Sequence, residues 1–172
     1  MKTSVLLRKI HHWGSIIVSI PLIIIIGAGL MLQLKKDIDW IQPPTQRGVT
    51  TDVPALSLQE MFDIVTTIPE MDVTTWEELD RVDFKPDKGI VKFVSLTRWE
   101  VQLDVTTGEV LQLAYRRSDL IESIHDGSFF AGWTKHYLFF PSAIVLFVLW
   151  ITGIYMFFLP YFKKAQKKNR KK

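Results

Sequence analysis

The residues in this chain best suited to chemistry are four histidines, and they stand at the margins of its apolar stretches. His11 and His12 are adjacent in "RKIHHWGS", His125 stands in "SIHDGSFF" and His136 in "WTKHYLFF". A neutral imidazole binds transition metals and porphyrin iron through one ring nitrogen. The 172-residue chain has no cysteine. That excludes a disulfide framework, an iron–sulfur cluster, a thiolate-ligated haem and a C-x-x-C-H haem attachment. Any redox centre must therefore use histidine, methionine or oxygen ligands. Neither G-x-G-x-x-G nor a P-loop occurs, so there is no nucleotide or flavin fingerprint, and electrons would have to come from a separate donor. A histidine beside Trp and Arg at a membrane surface also has a simpler use, contact with lipid headgroups. The residues alone leave both readings open.

The elements that must position these histidines are two apolar runs. Residues 14–34 form 21 uncharged positions dense in Ile and Leu. As a helix this run is about 31 Å long, roughly the hydrocarbon thickness of a bilayer. A second uncharged run covers residues 137–162. The first is too long for the apolar part of a signal peptide, and no small-x-small site follows it. Both are read as retained spans of a two-pass membrane protein.

Charge then orients the chain. Residues 1–34 carry Lys2, Arg8 and Lys9, and "KKAQKKNRKK" (163–172) carries seven more basic residues; neither contains an acid. All 18 carboxylates lie in residues 35–135, against 11 of the 21 basic residues, which leaves that segment net −7. The positive-inside rule puts both ends in the cytoplasm and the 101-residue loop outside it. Trp13, Trp40, Trp133 and Tyr137 fall near span ends, where amphipathic rings favour the interface. The basic tail reads as a topology signal with affinity for anionic lipid rather than as a nucleic-acid site. On this topology His11 and His12 lie at the cytoplasmic end, and His125 and His136 at the extracytoplasmic end.

Between the spans, "KKDIDWIQPPTQRGVTTDVPA" is a polar, proline-rich connector. "SLQEMFDIVTTIPEM" opens with Ser57 and Glu60 in capping-box spacing, and Leu58, Met61, Phe62 and Val65 recur at helical intervals; this predicts a short helix ending before Pro69. "ELDRVDFKP", "IVKFVSL", "RWEVQLDV" and "VLQLAYR" read as strands, with Gly108 turning the hairpin "VQLDVTTGEVLQL" and Asp104 and Glu109 setting the turn and its solubility. Ser118 is a plausible cap for a further short helix carrying Leu120, Ile121 and Ile124. Gly27-Ala28-Gly29 and Gly153 read as helix-packing positions rather than cofactor contacts. The expected layout is a cytoplasmic segment 1–13, a span 14–34, an extracytoplasmic domain with connector 35–117, an interfacial segment 118–136, a span 137–162 and a cytoplasmic tail 163–172.

Four stretches resemble one family. "LRKIHHWGS" resembles the L-H-x-W-x-G opening of the PepSY-associated transmembrane proteins, and "LDVTTGEVL" the D-x-x-T-G-E-V hairpin of the PepSY domain. "SIHDGSFFAGW" resembles the family's L-H-x-G-x-F-x-G segment, and "LFVLWITGIYMFF" its T-G-bearing second span. The order of the four is more specific than any one of them. Larger relatives have four spans and include haem-containing inner-membrane reductases of siderophore iron; the two-span version is similar to VciB-like proteins linked to ferric reduction and ferrous iron uptake.

The resemblance implies an α+β membrane protein: two transmembrane helices flanking a small PepSY-like domain, paired as a homodimeric four-helix bundle that mimics one four-span relative. It assigns the first motif's histidine to His11 and the second's to His125 as haem-iron ligands. His12 replaces a position that is often basic, and His136 has no counterpart in the motif, yet either His125 or His136 would ligate a haem at the extracytoplasmic end. His12 points about 100° away from His11 around a helix, so at most one of the two is axial. Met31 is a distant further candidate. The implied cofactor is haem b, one or two per dimer. The implied partners are ferric iron or a ferric complex and a quinol or flavoprotein donor, in the lipid bilayer of a bacterial inner membrane with the central domain periplasmic. Two other functions stand beside this one: an adaptor binding a protease or transporter, and a haem or metal sensor.

Overall fold

The computed structural model describes residues 3–50 and 54–169. Lys2, Arg170, Lys171 and Lys172, which enter the charge argument, lie outside the described residues. The element order is α1 (Thr3–Gln33), α2 (Leu58–Thr66), β1 (Leu79–Lys85), β2 (Ile90–Ser95), β3 (Trp99–Asp104), β4 (Val110–Tyr115), α3 (Arg117–Asp126) and α4 (Phe140–Asn169), with short 3-10 turns between. The chain divides into two units: Met1–Gly29 with Ser123–Lys172, and Leu30–Glu122.

In the first unit α1 takes in the first uncharged run and continues back to Thr3. Val5–Gln33 and Lys135–Phe162 are each long and apolar enough to cross a membrane. Their outward faces are almost wholly hydrocarbon: Ile17, Ile20 and Ile23 are each more than 70% exposed, as no helix in water would be. Val18, Pro21 and Ala28 are withdrawn on another face, at helical intervals. α4 is entered through a π-helical turn at Lys135–Phe139, where the Phe140 N–H reaches back to the Lys135 carbonyl. Pro141 explains the widening. It has no N–H for the carbonyl of Tyr137, and its ring would collide there in a regular helix.

The second unit is an antiparallel meander in the order β1-β2-β3-β4. Its core joins Met61, Phe62 and Val65 of α2 to Val91, Phe93, Val101 and Leu103 of the sheet and Val105 of the turn after β3. The capping box forms as the spacing predicts: Ser57 Oγ accepts from the Glu60 N–H at 3.2 Å, and Glu60 accepts from the Ser57 N–H at 2.8 Å. Gly108 takes a φ of +75° in the β3–β4 turn, and a Cβ there would come within 2.8 Å of both Ile64 and Leu56.

The opposite face of the sheet differs from a solvated one. Lys92, Glu100, Gln102 and Asp104 alternate with the core residues yet are at most 3% exposed. The proline-rich stretch after α1 is not a loose tether but a strap across them. Gln102 accepts from the Gln46 N–H at 2.8 Å and donates to the Pro44 carbonyl at 2.9 Å. Lys92 donates to Thr45 at 2.9 Å. At Gly48 a Cβ would lie 2.4 Å from the Gly89 carbonyl oxygen and 2.5 Å from an Asp104 oxygen, so only glycine passes. Beneath the strap, Glu100 accepts from Lys92 at 3.1 Å, from Gln102 at 2.7 Å and from the Arg116 guanidinium. Among the described residues no buried side-chain polar atom is left unsatisfied, as buried charge requires. Ser118 does not cap α3. The helix starts one residue earlier, and the Ser118 hydroxyl donates to Asp119 at 3.0 Å.

Asp104 is a structural tie rather than a solubilising charge. It accepts backbone N–H groups from Val49 at 2.6 Å, Thr106 at 2.7 Å and Thr107 at 2.9 Å. Burial pushes its carboxyl up, but these donors outweigh burial and hold it below its ordinary value. Asp119 is likewise raised by burial and lowered, with the larger net effect, by Arg116 and Arg81. Both groups bind fewer protons folded than unfolded, so their stabilisation is complete above the unfolded carboxyl pKa of about 3.9 and is lost as pH falls through the lowered folded values. Urea midpoints of this unit should therefore fall steeply below about pH 4. Asp104→Ala should cost about 2 kcal/mol at neutral pH, because three N–H groups lose a charged acceptor; an unchanged midpoint would contradict the strap.

Candidate functional site

The helical unit seats two of the four histidines beside glycine, and each ring turns its Nδ1 to a protein oxygen. His125 lies in the last turn of α3, which ends where Gly127 takes a φ of +83° under the Phe139 ring. His125 Nδ1 lies 2.9 Å from the Ile25 carbonyl oxygen of α1. A carbonyl can only accept, so Nδ1 carries the proton and Nε2 keeps its lone pair. The ring reaches that carbonyl because the residue one turn on is Gly29: a Cβ there would be 3.3 Å from His125 Cε1.

His11 repeats the arrangement between α1 and α4. Its Nδ1 lies 3.4 Å from Thr152 Oγ1. Thr152 donates its own proton to the Val148 carbonyl at 2.9 Å, the usual back-bond of a helical threonine. With that proton on a helix carbonyl the hydroxyl oxygen can accept from an Nδ1–H of His11, which is the tautomer that leaves Nε2 free; in the other tautomer Thr152 donates to Nδ1. A Cβ on Gly153 would sit 3.5 Å from His11 Cε1. Fixing Nδ1–H on a protein acceptor is how imidazoles are oriented for ligation through Nε2.

From His11 a groove of about 730 Å³ runs along the two helices, bordered by Ser15, Val18 and Leu22 of α1 and by Leu149 and Phe157 of α4. Its size is that of a cofactor site, and its walls are apolar apart from His11, Ser15 and Ser19. Fourteen residues separate His11 from Ile25, about 21 Å of helix, and a residue 14 positions on returns to nearly the same face. The two seated imidazoles therefore mark opposite ends of one stripe of α1.

The remaining candidates are placed differently. His12 is exposed and meets Trp13 edge-on at 5.6 Å. With Arg8, His11 and Met156 it borders a second groove of about 470 Å³. His136 is exposed on the π-helical turn, and Met31 is exposed near the end of α1. Among the described residues, no three His, Asp or Glu side chains converge on a point that could hold a metal ion. Each end of the stripe thus offers one oriented imidazole per chain.

Three contributors escaped the sequence reading. Gly29 and Gly153, read there as helix-packing positions, each lie under a histidine ring, whereas a Cβ on Gly27 would meet open space. Thr152 was not singled out at all. The signal for it was the T-G pair of the second span, which places a hydroxyl acceptor beside a missing side chain.

A family model described as the PepSY-associated TM region matches residues 8–172, nearly the whole chain. Neither the curated proteins nor the solved structures give a match.

The tautomer assignment has a direct readout. Long-range ¹H–¹⁵N spectra of the detergent-solubilised chain, above the imidazole pKa, should show Nδ1 protonated and Nε2 unprotonated for His11 and His125. Gly29→Val should displace the His125 ring and abolish that pattern for His125 alone; Gly153→Val should do the same for His11. The opposite tautomer at either ring would contradict the geometry.

Proposed function

From a chain that belongs to the PepSY-associated transmembrane family, and so is a membrane protein, we propose a haem-b electron carrier that reduces ferric iron on the extracytoplasmic side and supports ferrous iron uptake. The observation that carries this reading is the shared arrangement of His11 and His125: Nδ1 set on a protein oxygen, with a glycine beside the ring. The donor set fits a b-type haem, since neutral imidazole is a good iron ligand and the groove beside His11 is apolar and large enough.

A haem held by two histidines needs a second imidazole at each end, and one chain offers a single oriented ring there. A homodimer supplies it. Two helices from each of two copies make a four-helix bundle, with His11 paired to the partner copy's equivalent at one end and His125 at the other. Bound haem would supply one-electron capacity, with its potential set by axial ligation and burial. The chain's own residues do the rest. Thr152 and the Ile25 carbonyl hold the rings in one tautomer, Gly29 and Gly153 make room for them, and the isoleucine and phenylalanine walls exclude water. The basic flanks of the two spans support a topology with both ends cytoplasmic, in a bacterial inner membrane. With haem bound, His11 would hold it at the end facing a quinol or flavoprotein donor and His125 at the end facing ferric iron.

The test is the visible spectrum of protein purified from haem-replete cells. The expected result is a Soret band with sharp α and β bands after dithionite, bleached by ferric complexes. His11→Ala and His125→Ala should each remove at least half of the bound haem, while His12→Ala and His136→Ala remove little. A featureless spectrum would contradict the carrier and leave the adaptor reading, in which the PepSY-like domain restrains a partner. Haem content unchanged by both main substitutions would contradict the ligand assignment.

A further inference from the structure

The second unit carries a polar cleft that the redox reading does not use. Its volume is about 540 Å³, and its rim includes Lys35, Arg81, Arg98, Arg116, Asp119 and Glu122. Four of the 11 basic residues in the acidic segment 35–135 thus line one cleft. That concentration runs against the charge of its surroundings.

The four cations are not equivalent. Arg81 is held by Asp80 at 2.5 Å and Asp119 at 3.2 Å, and Arg116 by Asp119 at 2.9 Å and by Glu100. Among the described residues, no carboxylate pairs with Arg98 or Lys35, although both are half-buried. A cation partly withdrawn from water with no counter-ion gains when an anion arrives.

Arg98 is also held in an unusual backbone. It is the third residue of the three-residue turn between β2 and β3, at a φ of +70°. Such turns put glycine or asparagine at that position, because a Cβ is disfavoured there. Its N–H donates to the Ser95 carbonyl at 2.9 Å, and its carbonyl accepts from the Arg116 N–H at 2.8 Å. The backbone is pinned from both sides, and the residue lines the cleft. Strain of this kind, kept where glycine would remove it, points to a use for the side chain.

We propose that this cleft binds a small multivalent carboxylate anion of the citrate class, with Arg98 and Lys35 as its principal partners. The cleft already shows the chemistry. Arg116 grips Asp119 with two nitrogens, Nε at 2.9 Å and Nη2 at 3.1 Å, and Arg98 offers the same planar fork unfilled. The volume suits a small ligand rather than a macromolecule. Asp80 and Asp119 on the rim are already taken by Arg81 and Arg116, which leaves Arg98 and Lys35 as the cations without a carboxylate partner. In its fullest form, which rests on the ferric-reductase reading, the anion is the chelator that brings ferric iron to the protein.

The experiment is calorimetric titration of the full chain in detergent with iron-free citrate, which needs neither haem nor turnover. Wild type should bind, Arg98→Gly should weaken binding at least tenfold, and Lys35→Gln should weaken it several-fold. Lys36→Gln, on the exposed neighbour, should leave it unchanged. Glycine suits the φ of residue 98, so Arg98→Gly should melt no lower than wild type, and its loss of binding cannot be unfolding. No heat of binding at millimolar citrate, or equal binding by Arg98→Gly, would overturn the site. So would occupancy of the cleft only by anionic lipid headgroups, seen as protection in anionic but not neutral nanodiscs. Citrate binding without reduction of ferric citrate would overturn the redox reading and leave the site standing; reduction without citrate binding would do the reverse.

Discussion

Where water is scarce, an imidazole N–H must find its acceptor in the protein or remain costly, and this constraint governs the helical unit. An unpaired polar group in hydrocarbon costs several kcal/mol. His125 meets the requirement with a helix carbonyl that is already bonded within α1, and His11 with a threonine hydroxyl whose proton is engaged elsewhere. His125 approaches α1 closely enough that a Cβ on Gly29 would crowd its ring at 3.3 Å, whereas a Cβ on Gly153 would meet His11 at an ordinary 3.5 Å. In a neutral ring with Nδ1 protonated, the far nitrogen is free to ligate. Satisfying one nitrogen thus prepares the other, and a structural necessity becomes an oriented ligand.

The second unit answers the same constraint with charge. Its two central strands, β2 and β3, are covered on both faces. One side packs on α2, and the other is closed by the strap from residues 44–49 over Lys92, Glu100, Gln102 and Asp104. Lys92 and Glu100 are paired and Asp104 is held by backbone N–H groups, which makes that layer tolerable, and the pairing extends through Arg116 to Asp119. Arg98 and Lys35 stand outside this closed accounting of charges, which is why the cleft beside them draws notice.

Much of this was legible in the chain. The two spans followed from the length of charge-free sequence, and the capping box at Ser57 and the Gly108 turn followed from local chemistry that acts over a few residues. The strap was not legible. A proline-rich polar stretch reads as a tether, and only its long-range bonds to Gln102 and Asp104 make it part of the fold. The pairing of His11 with Thr152 joins residues 141 positions apart, and that of His125 with Ile25 exactly one hundred, so no local rule could find them. The π-helical turn before Pro141 was hidden for a related reason: proline announces a disturbance without saying whether the helix kinks, starts or widens.

The dimer is the claim on which the redox account turns, because one chain offers a single oriented imidazole at each end of the stripe. Native mass spectrometry of the protein extracted from haem-replete cells weighs that claim directly. The account predicts haem only on particles containing two chains, with one or two haems per pair. Haem retained on a single chain, or a pair that carries none, would contradict it.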